Sequence, residues 1–258
     1  MFTIHPTAII SPRAELGSGV EVGPYCVIGD GVMLGDGCVL HNHVTIHGPS
    51  RIGARNTFYP SACIGQQSQD LKYKGEPTFL ETGDDNVFRE FCTVNRGTLP
   101  GSKTIIGSHN HFLAYAHIAH DCVVGSHCIV SNNGTLAGHV VMDDHVILGG
   151  LTAVHQFCRI GAYAITGGCS KIVQDVPPYM IADGNPAAIR GVNLVGLQRA
   201  SFPEEDVRAL REAYKALFMR KQNTSDALDA IAQGEYGKNP CIEKLGHFVR
   251  SSQRGVTK

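Results

Sequence analysis

The sequence predicts a mainly β protein: a parallel β-helix of six-residue repeats, followed by a C-terminal α-helical domain. Three observations carry this. Apolar residues recur every six positions at Ile4, Ile10, Leu16, Val22, Ile28, Leu34, Leu40, Ile46, Ile52, Phe58 and Ile64. Continued to Ile172, the series has 29 positions, of which 20 are Ile, Leu or Val and four more are Phe or Met. Small residues follow four positions after each aliphatic: Ala8, Ala14, Val20, Cys26, Val32, Cys38, Val44, and later Ala116, Cys122 and Cys128. Composition agrees, because 258 residues with 30 glycines, no tryptophan, 7% aromatic and 17% charged side chains suit short repeated strands better than a helical globule. A strict period of six fits neither a 3.6-residue helix nor simple alternation, and it is the mark of a solenoid.

Each hexad is read as a short strand plus a corner, and three hexads close a coil of 18 residues, so residue n stacks on n+18. The aliphatic and the small residue face inward. Six of the nine cysteines, Cys26, Cys38, Cys92, Cys122, Cys128 and Cys158, take the small slot, where free cysteine acts as a compact hydrophobe. With no Cys-x-x-Cys in the chain, disulfides and a cysteine zinc site are the weaker readings, and a reducing compartment is the simpler home. The pattern fails at Asp70, Glu76, Thr82 and Pro100, so loops are expected near 66–79 and 99–103, rich in Pro, Gly and charge. Insertions on one face of a solenoid often build its binding surface.

After Ile172 the repeat stops at Asp175-Val176-Pro177-Pro178, and a bridging segment runs from Asn185 to Leu197. The expected division is 1–190 for the β-helix and 191–258 for the helical domain. Ser201-Phe202-Pro203-Glu204 reads as a capping box with proline early in a helix, and Val207, Leu210, Ala213, Tyr214 and Leu217 follow at helical spacing. Further helices are expected from near Thr224 and near Pro240, covering the open end of the solenoid. The last 62 residues hold 11 of the 22 basic groups against 8 acidic ones, a modest asymmetry suited to an acidic protein or a phosphate.

The net charge of −1 gives no bulk electrostatic case for nucleic acid or an anionic membrane. No run of 18 apolar residues is present and the first ten residues lack a secretion signal, so a soluble cytoplasmic protein is expected. Eight of the 13 histidines fall between His109 and His155. By the repeat, His117, His120, His139 and His155 all point outward, into a groove that a neighbouring subunit would share. Stacking by 18 puts Gly138 one coil from His120 and His139 one coil from Asp121. A histidine beside a backbone amide freed by glycine is a base next to an oxyanion donor. Zinc is the rival use of clustered histidines, disfavoured by the absence of dense carboxylates to tune the ligands.

Ile28-Gly29-Asp30-Gly31-Val32 and Val124-Gly125-Ser126-His127-Cys128 resemble the hexapeptide-repeat family, whose coil is left-handed. Longer strings resemble the bacterial UDP-N-acetylglucosamine O-acyltransferase family of lipid A biosynthesis: His117-Ile118-Ala119-His120-Asp121, Leu136-Ala137-Gly138-His139-Val140, Val154-His155-Gln156-Phe157-Cys158 and Asp70-Leu71-Lys72-Tyr73. The likeness runs from His5 to Gly255. It implies a cytoplasmic homotrimer with sites in clefts between adjacent β-helices, transferring a 3-hydroxyacyl chain from acyl carrier protein to the sugar 3-hydroxyl of UDP-N-acetylglucosamine. No metal or cofactor is implied beyond the carrier protein's phosphopantetheine. By resemblance His120 is the general base, the Gly138 amide holds the oxyanion, and Asp121 orients or charge-balances His120, although neighbours along one strand seldom touch. Asp70, Lys72, His117, His139 and Gln156 hold sugar and phosphates, with Gln69 and His155 nearby. Asn193 and Arg199 contact the nucleotide. Gly168 lies where the family sets acyl length, and a glycine there predicts a longer chain.

The chain departs from the family at three places. Asn95 stands where a histidine is frequent in a His-Arg-Gly-Thr string, Val195 replaces a common acidic residue, and Ala200 stands where a second arginine often follows Arg199. These departures raise a 3-amino sugar nucleotide as an alternative acceptor. A related N-acyltransferase would add an N-terminal globular domain, for which hexads starting at Ile4 leave no room. An acetyl-coenzyme A enzyme fits the C-terminal helices and the Asp70–Lys72 loop poorly. A purely structural β-helix would need neither the histidines nor that loop.

Overall fold

A computed structural model describes residues 3–220 and 223–258. Its first two-thirds is a parallel β-helix whose strands, mostly two residues long, line three sheets of eleven, nine and eight strands. Each strand pairs with the one three further along the chain: Thr3 with Glu21, Ile9 with Val27, Ile129 with Ile147. The separation is 18 residues, as the hexad argument requires. Every coil stacks on the next through backbone hydrogen bonds, so ladder donors and acceptors are met between coils.

The interior is the two inward series. Ile28, Leu40, Ile46, Ile64, Ile118 and Leu136 are all buried, and so are the six slot cysteines. Phe58, Phe88 and Phe112 take consecutive inward sites and stack face to face at 5.0 and 4.9 Å. Most corners ask one residue to adopt a left-handed backbone, and many are not glycine: Tyr25, His43, Phe91, Tyr115, Asp121, His127, His139 and His145 among them. Each costs about 1 kcal/mol or more. Their side chains point outward and stack on the equivalent residue of the next coil, as in Tyr25–His43 at 5.1 Å and His127–His145 at 4.9 Å.

The two interruptions are measured by register. Across the first, Cys63 pairs with Thr93 and Ser50 with Leu80, a separation of 30, so this coil carries twelve extra residues. Across the second, Phe79 pairs with Lys103 and Thr93 with His117, a separation of 24, six extra. The first excursion lies between strands Cys63–Gln66 and Phe79–Thr82. The second lies between Thr93–Asn95 and Lys103–Ile106, so it begins earlier than the sequence indicates, and Lys103 is already strand.

The coil ends in an antiparallel hairpin, Met180–Gly184 with Ala187–Val192, which sequence periodicity did not reveal. Residues 190 and 191, between which the sequence places the domain change, both lie in its second strand. Four α-helices follow: α1 (Leu194–Arg199), α2 (Glu204–Tyr214), α3 (Thr224–Gln233) and α4 (Pro240–Arg250), with a π-helical turn at Lys215–Met219. Helices α3 and α4 begin at Thr224 and Pro240, as expected, and Asn223 and Asn239 cap them. The capping box at Ser201 is not formed. Ser201 sits in a left-handed turn and Pro203 is the N-cap, with no side-chain cap bond, so α2 starts on the acidic Glu204, Glu205 and Asp206 alone.

Candidate active site

One edge of the nine-stranded sheet brings the chemistry together. After the strands His117–Ile118, Thr135–Leu136 and Ala153–Val154 the chain turns a corner, and these corners stack. His139 N donates to His120 O at 3.1 Å, and Phe157 N to Gly138 O at 3.2 Å. His139 lies flat on Phe157, with ring centroids 4.7 Å apart. The predicted neighbours are therefore real: an added Cβ on Gly138 would collide with the His120 imidazole, so only glycine admits the ring there. Among the described residues the Gly138 N–H meets no hydrogen-bond acceptor.

His120 and Asp121, neighbours in sequence of the kind that seldom touch along a strand, are in contact here. They occupy a corner rather than a strand, and the positive φ of Asp121, +59°, swings its carboxylate back onto the ring. His120 Nδ1 and Asp121 Oδ2 are 2.8 Å apart. Burial would raise the Asp121 pKa, but hydrogen bonds from His120 and Thr98 outweigh it and hold the carboxyl below its ordinary value. An ionised Asp121 keeps the hydrogen of His120 on Nδ1 and leaves a lone pair on Nε2. His120 is only 9% exposed, with Asp70 of the first excursion near its Nε2 and Gly138 against its ring.

The first excursion places Asp70 with its Oδ2 4.0 Å from His120 Nε2. The Lys72 N–H caps Asp70 Oδ1 at 2.8 Å, while Gln69, Lys72 and the nearby Leu71 remain exposed. His117 bonds Thr93 Oγ1 through Nδ1 at 2.7 Å; burial, and then the nearness of His120, push its pKa down, so it is neutral. His139 Nε2 lies 3.8 Å from Asp121 Oδ2. His155 and Gln156 sit one coil further along the same edge, both exposed, with His155 Nδ1 against the Gln156 carbonyl at 3.0 Å. Gly168 borders the same face on its other edge, exposed, with only the Gly150 carbonyl near an added Cβ.

Two of the sequence candidates are not brought here. Asn193 caps α1 through a bond from Gly196 N and donates to the Tyr163 carbonyl at 2.8 Å, on the corner column of His127 and His145. Arg199 ends the same helix, exposed. Asn95 is buried beneath the first loop and donates to the Gln67 carbonyl at 3.1 Å. Sequence reasoning also passed over Ser68, Arg96, Thr98 and Thr104. Arg96, 8% exposed, donates to the Gly65 carbonyl, and Thr104 Oγ1 accepts from Asp121 N at 2.9 Å. Buried polar side chains inside a broken repeat were the available signal.

His120, Asp121 and His139 offer ligand atoms all within 4.8 Å of one another, a donor set a metal ion would accept. The Nδ1–carboxylate bond already joins two of those atoms, and an ion there would have to displace its proton.

Comparison with known proteins gives the family. Residues 175–257 match the profile described as UDP N-acetylglucosamine O-acyltransferase, domain 2, and residues 103–138 match the bacterial transferase hexapeptide repeats. The chain is 52% identical over 234 residues to an acyl-[acyl-carrier-protein]–UDP-N-acetylglucosamine O-acyltransferase of Verminephrobacter eiseniae, covering 90% of this chain and 89% of that one. Among solved structures it is similar to the UDP-N-acetylglucosamine acyltransferase of Bacteroides fragilis, with TM-score 0.96, 40% identity, and 99% and 100% of the two chains covered. The Moraxella catarrhalis O-acyltransferase gives TM-score 0.94 at 43% identity, with 99% of each chain covered.

Proposed function

The chain belongs to the acyl-[acyl-carrier-protein]–UDP-N-acetylglucosamine O-acyltransferase family, and from that membership we propose that it moves a 3-hydroxyacyl chain from acyl carrier protein to the 3-hydroxyl of UDP-N-acetylglucosamine, the first step of lipid A biosynthesis. The observation that carries the mechanism is the corner at His120: one ring nitrogen on the Asp121 carboxylate, the other beside Asp70, and Gly138 packed against the same ring, its N–H without an acceptor among the described residues.

The sugar hydroxyl attacks the thioester carbonyl while His120 Nε2 takes its proton. Asp121 stabilises the imidazolium that forms. The tetrahedral oxyanion lies on the Gly138 N–H, and its collapse breaks the carbon–sulfur bond. The departing phosphopantetheine thiolate takes the proton back from Nε2, leaving an ester and a free thiol. General-base catalysis of this kind contributes roughly 10²–10⁴-fold, and one oxyanion donor about 10²–10³-fold. Asp70 and Lys72 receive sugar and phosphate from the loop side, with His117, His139, His155 and Gln156 along the sheet edge. The Gly168 edge receives the acyl chain and leaves room for a long one. No metal or cofactor enters these steps.

The homotrimer is part of the same proposal. Asn193 and Arg199 lie against a different corner column from His120, so within one chain they do not reach the base; a neighbouring copy presents them across a cleft. Exposed Tyr25, Phe91, Tyr115, Leu151 and Phe157 supply apolar corners for such packing. Nine free cysteines suit a reducing cytoplasm, and no helix among the described residues is long and apolar enough to cross a membrane.

The test is to incubate the protein with UDP-N-acetylglucosamine and a mixture of 3-hydroxyacyl carrier proteins, reading products by mass, with a 3-amino sugar nucleotide in parallel. One dominant ester product supports the reading, and an amide formed only on the amino sugar moves the acceptor. His120→Ala is expected to remain folded and lose at least about 10²-fold in kcat; undiminished turnover removes His120 from its role.

A further inference from the structure

The two excursions meet beneath the base. Ser68 and Thr98, one from each loop, are 5% and 3% exposed, and their hydroxyls are 2.7 Å apart. Ser68 Oγ accepts from the Asp70 N–H at 3.1 Å, and the Thr98 N–H donates to Asp121 Oδ1 at 3.3 Å. Asp70 and Asp121 in turn face the two nitrogens of His120, at 4.0 and 2.8 Å. The contacts thus close a ring: His120, Asp121, Thr98, Ser68, Asp70 and back to His120. Arg96 and Asn95 hold the root of the first loop through the Gly65 and Gln67 carbonyls.

We propose that the Ser68–Thr98 hydrogen bond is a positioning clasp that couples the substrate-binding loop to the catalytic dyad. It ties the Asp70 loop, which receives the sugar, to the carboxylate that orients His120. The proposal rests on His120 acting as the base, as argued above. Its physical basis is geometric. Twelve and six extra residues give each loop the freedom to take many conformations, yet Asp70 on the first loop and Thr98 on the second, against Asp121, must be held beside one imidazole. A single buried bond between the loops removes that freedom, and burial makes it costly to leave either hydroxyl unpaired. Both Ser68 and Thr98 are buried, with their hydroxyls bonded to each other. Both act through Asp70 and Asp121, so they are positioning residues.

Thr98→Val and Ser68→Ala, singly and together, test this, with Thr98→Ser retaining the hydroxyl. Each single variant is expected to lower kcat/KM by about 10-fold or more, the effect of losing one buried bond at the site. Ser68→Ala also removes the acceptor of the Asp70 N–H and is expected to raise KM for the sugar nucleotide, while Thr98→Val keeps the backbone N–H on Asp121 and acts only through the lost bond between the loops. Because the two hydroxyls share one bond, the double variant is expected to be little worse than the poorer single, a strong coupling in the cycle. Thr98→Ser is expected to restore most of the activity. The idea is overturned by singles that keep kcat/KM within twofold, by additive effects in the double, or by losses matched by the fall in folded fraction in a melting experiment. His120→Ala in the same series separates the two readings. If that variant is inactive and the clasp variants are normal, only the clasp fails; if it is active, the base assignment fails first.

Discussion

Gly138→Ala isolates the geometry of the base from its chemistry. The added methyl group would stand 2.5 Å from His120 Nε2. Contact between non-bonded heavy atoms is comfortable near 3.5 Å, so ring or backbone must yield by about 1 Å. Gly138 itself does not have a left-handed backbone, so alanine meets no conformational bar and the effect falls on His120. The ring has little room to retreat, because Asp121 holds Nδ1 at 2.8 Å. A displacement of that size at a reacting group costs about 10²-fold, close to 2.7 kcal/mol of transition-state stabilisation. Overpacking adds about 1–3 kcal/mol against folding. Steady-state kinetics are expected to show kcat reduced about 100-fold with KM for the sugar nucleotide changed little, in a protein that still melts cooperatively. A Gly138→Ala enzyme within threefold of normal kcat would refute the stacking of base against oxyanion donor.

Phe88, fully buried between Phe58 and Phe112, is expected to cost about 3–5 kcal/mol as Phe88→Ala, read by denaturant unfolding. His145 lies between His127 and Tyr163, and burial, then the nearness of His127, lowers its pKa. The folded state then prefers the neutral ring, so this stability is present above the ordinary histidine pKa and is lost as pH falls through the folded value. Melting temperature is expected to drop on acidification through about pH 6.5 and below, and His145→Phe to flatten that limb. Native thiol titration is expected to show exposed Cys169 reacting first, while burial pushes the Cys92, Cys122 and Cys128 thiols up to about 12 and keeps them inert; Cys169→Ser removes the fast phase.

Much of this was readable because a solenoid is nearly one-dimensional. When residue n must stack on n+18, a spacing in sequence becomes a neighbour in space, and Gly138 beside His120 follows by counting. The same counting fails at corners and loops. It did not show that His120 is only 9% exposed, or that a left-handed φ at Asp121 brings its carboxylate onto the ring. The capping box at Ser201 failed because the chain turns sharply before α2 and leaves Pro203 at the cap. The hairpin after Met180 carries no six-residue signature, and α1 is too short for periodicity to declare itself.

By itself the sequence determined the repeat, the inward aliphatic and cysteine series, the helices beginning near Thr224 and Pro240, and the pairing of a histidine with a glycine one coil away. These depend on local spacing and on burial, which periodic residues express wherever they lie. Only the tertiary structure decided that Asp70 and Asp121 flank the two nitrogens of one imidazole and that Ser68 meets Thr98 beneath it. The reason is physical: an inserted loop breaks the period that converts sequence into position, and its path is set by a few buried polar bonds between residues about thirty positions apart.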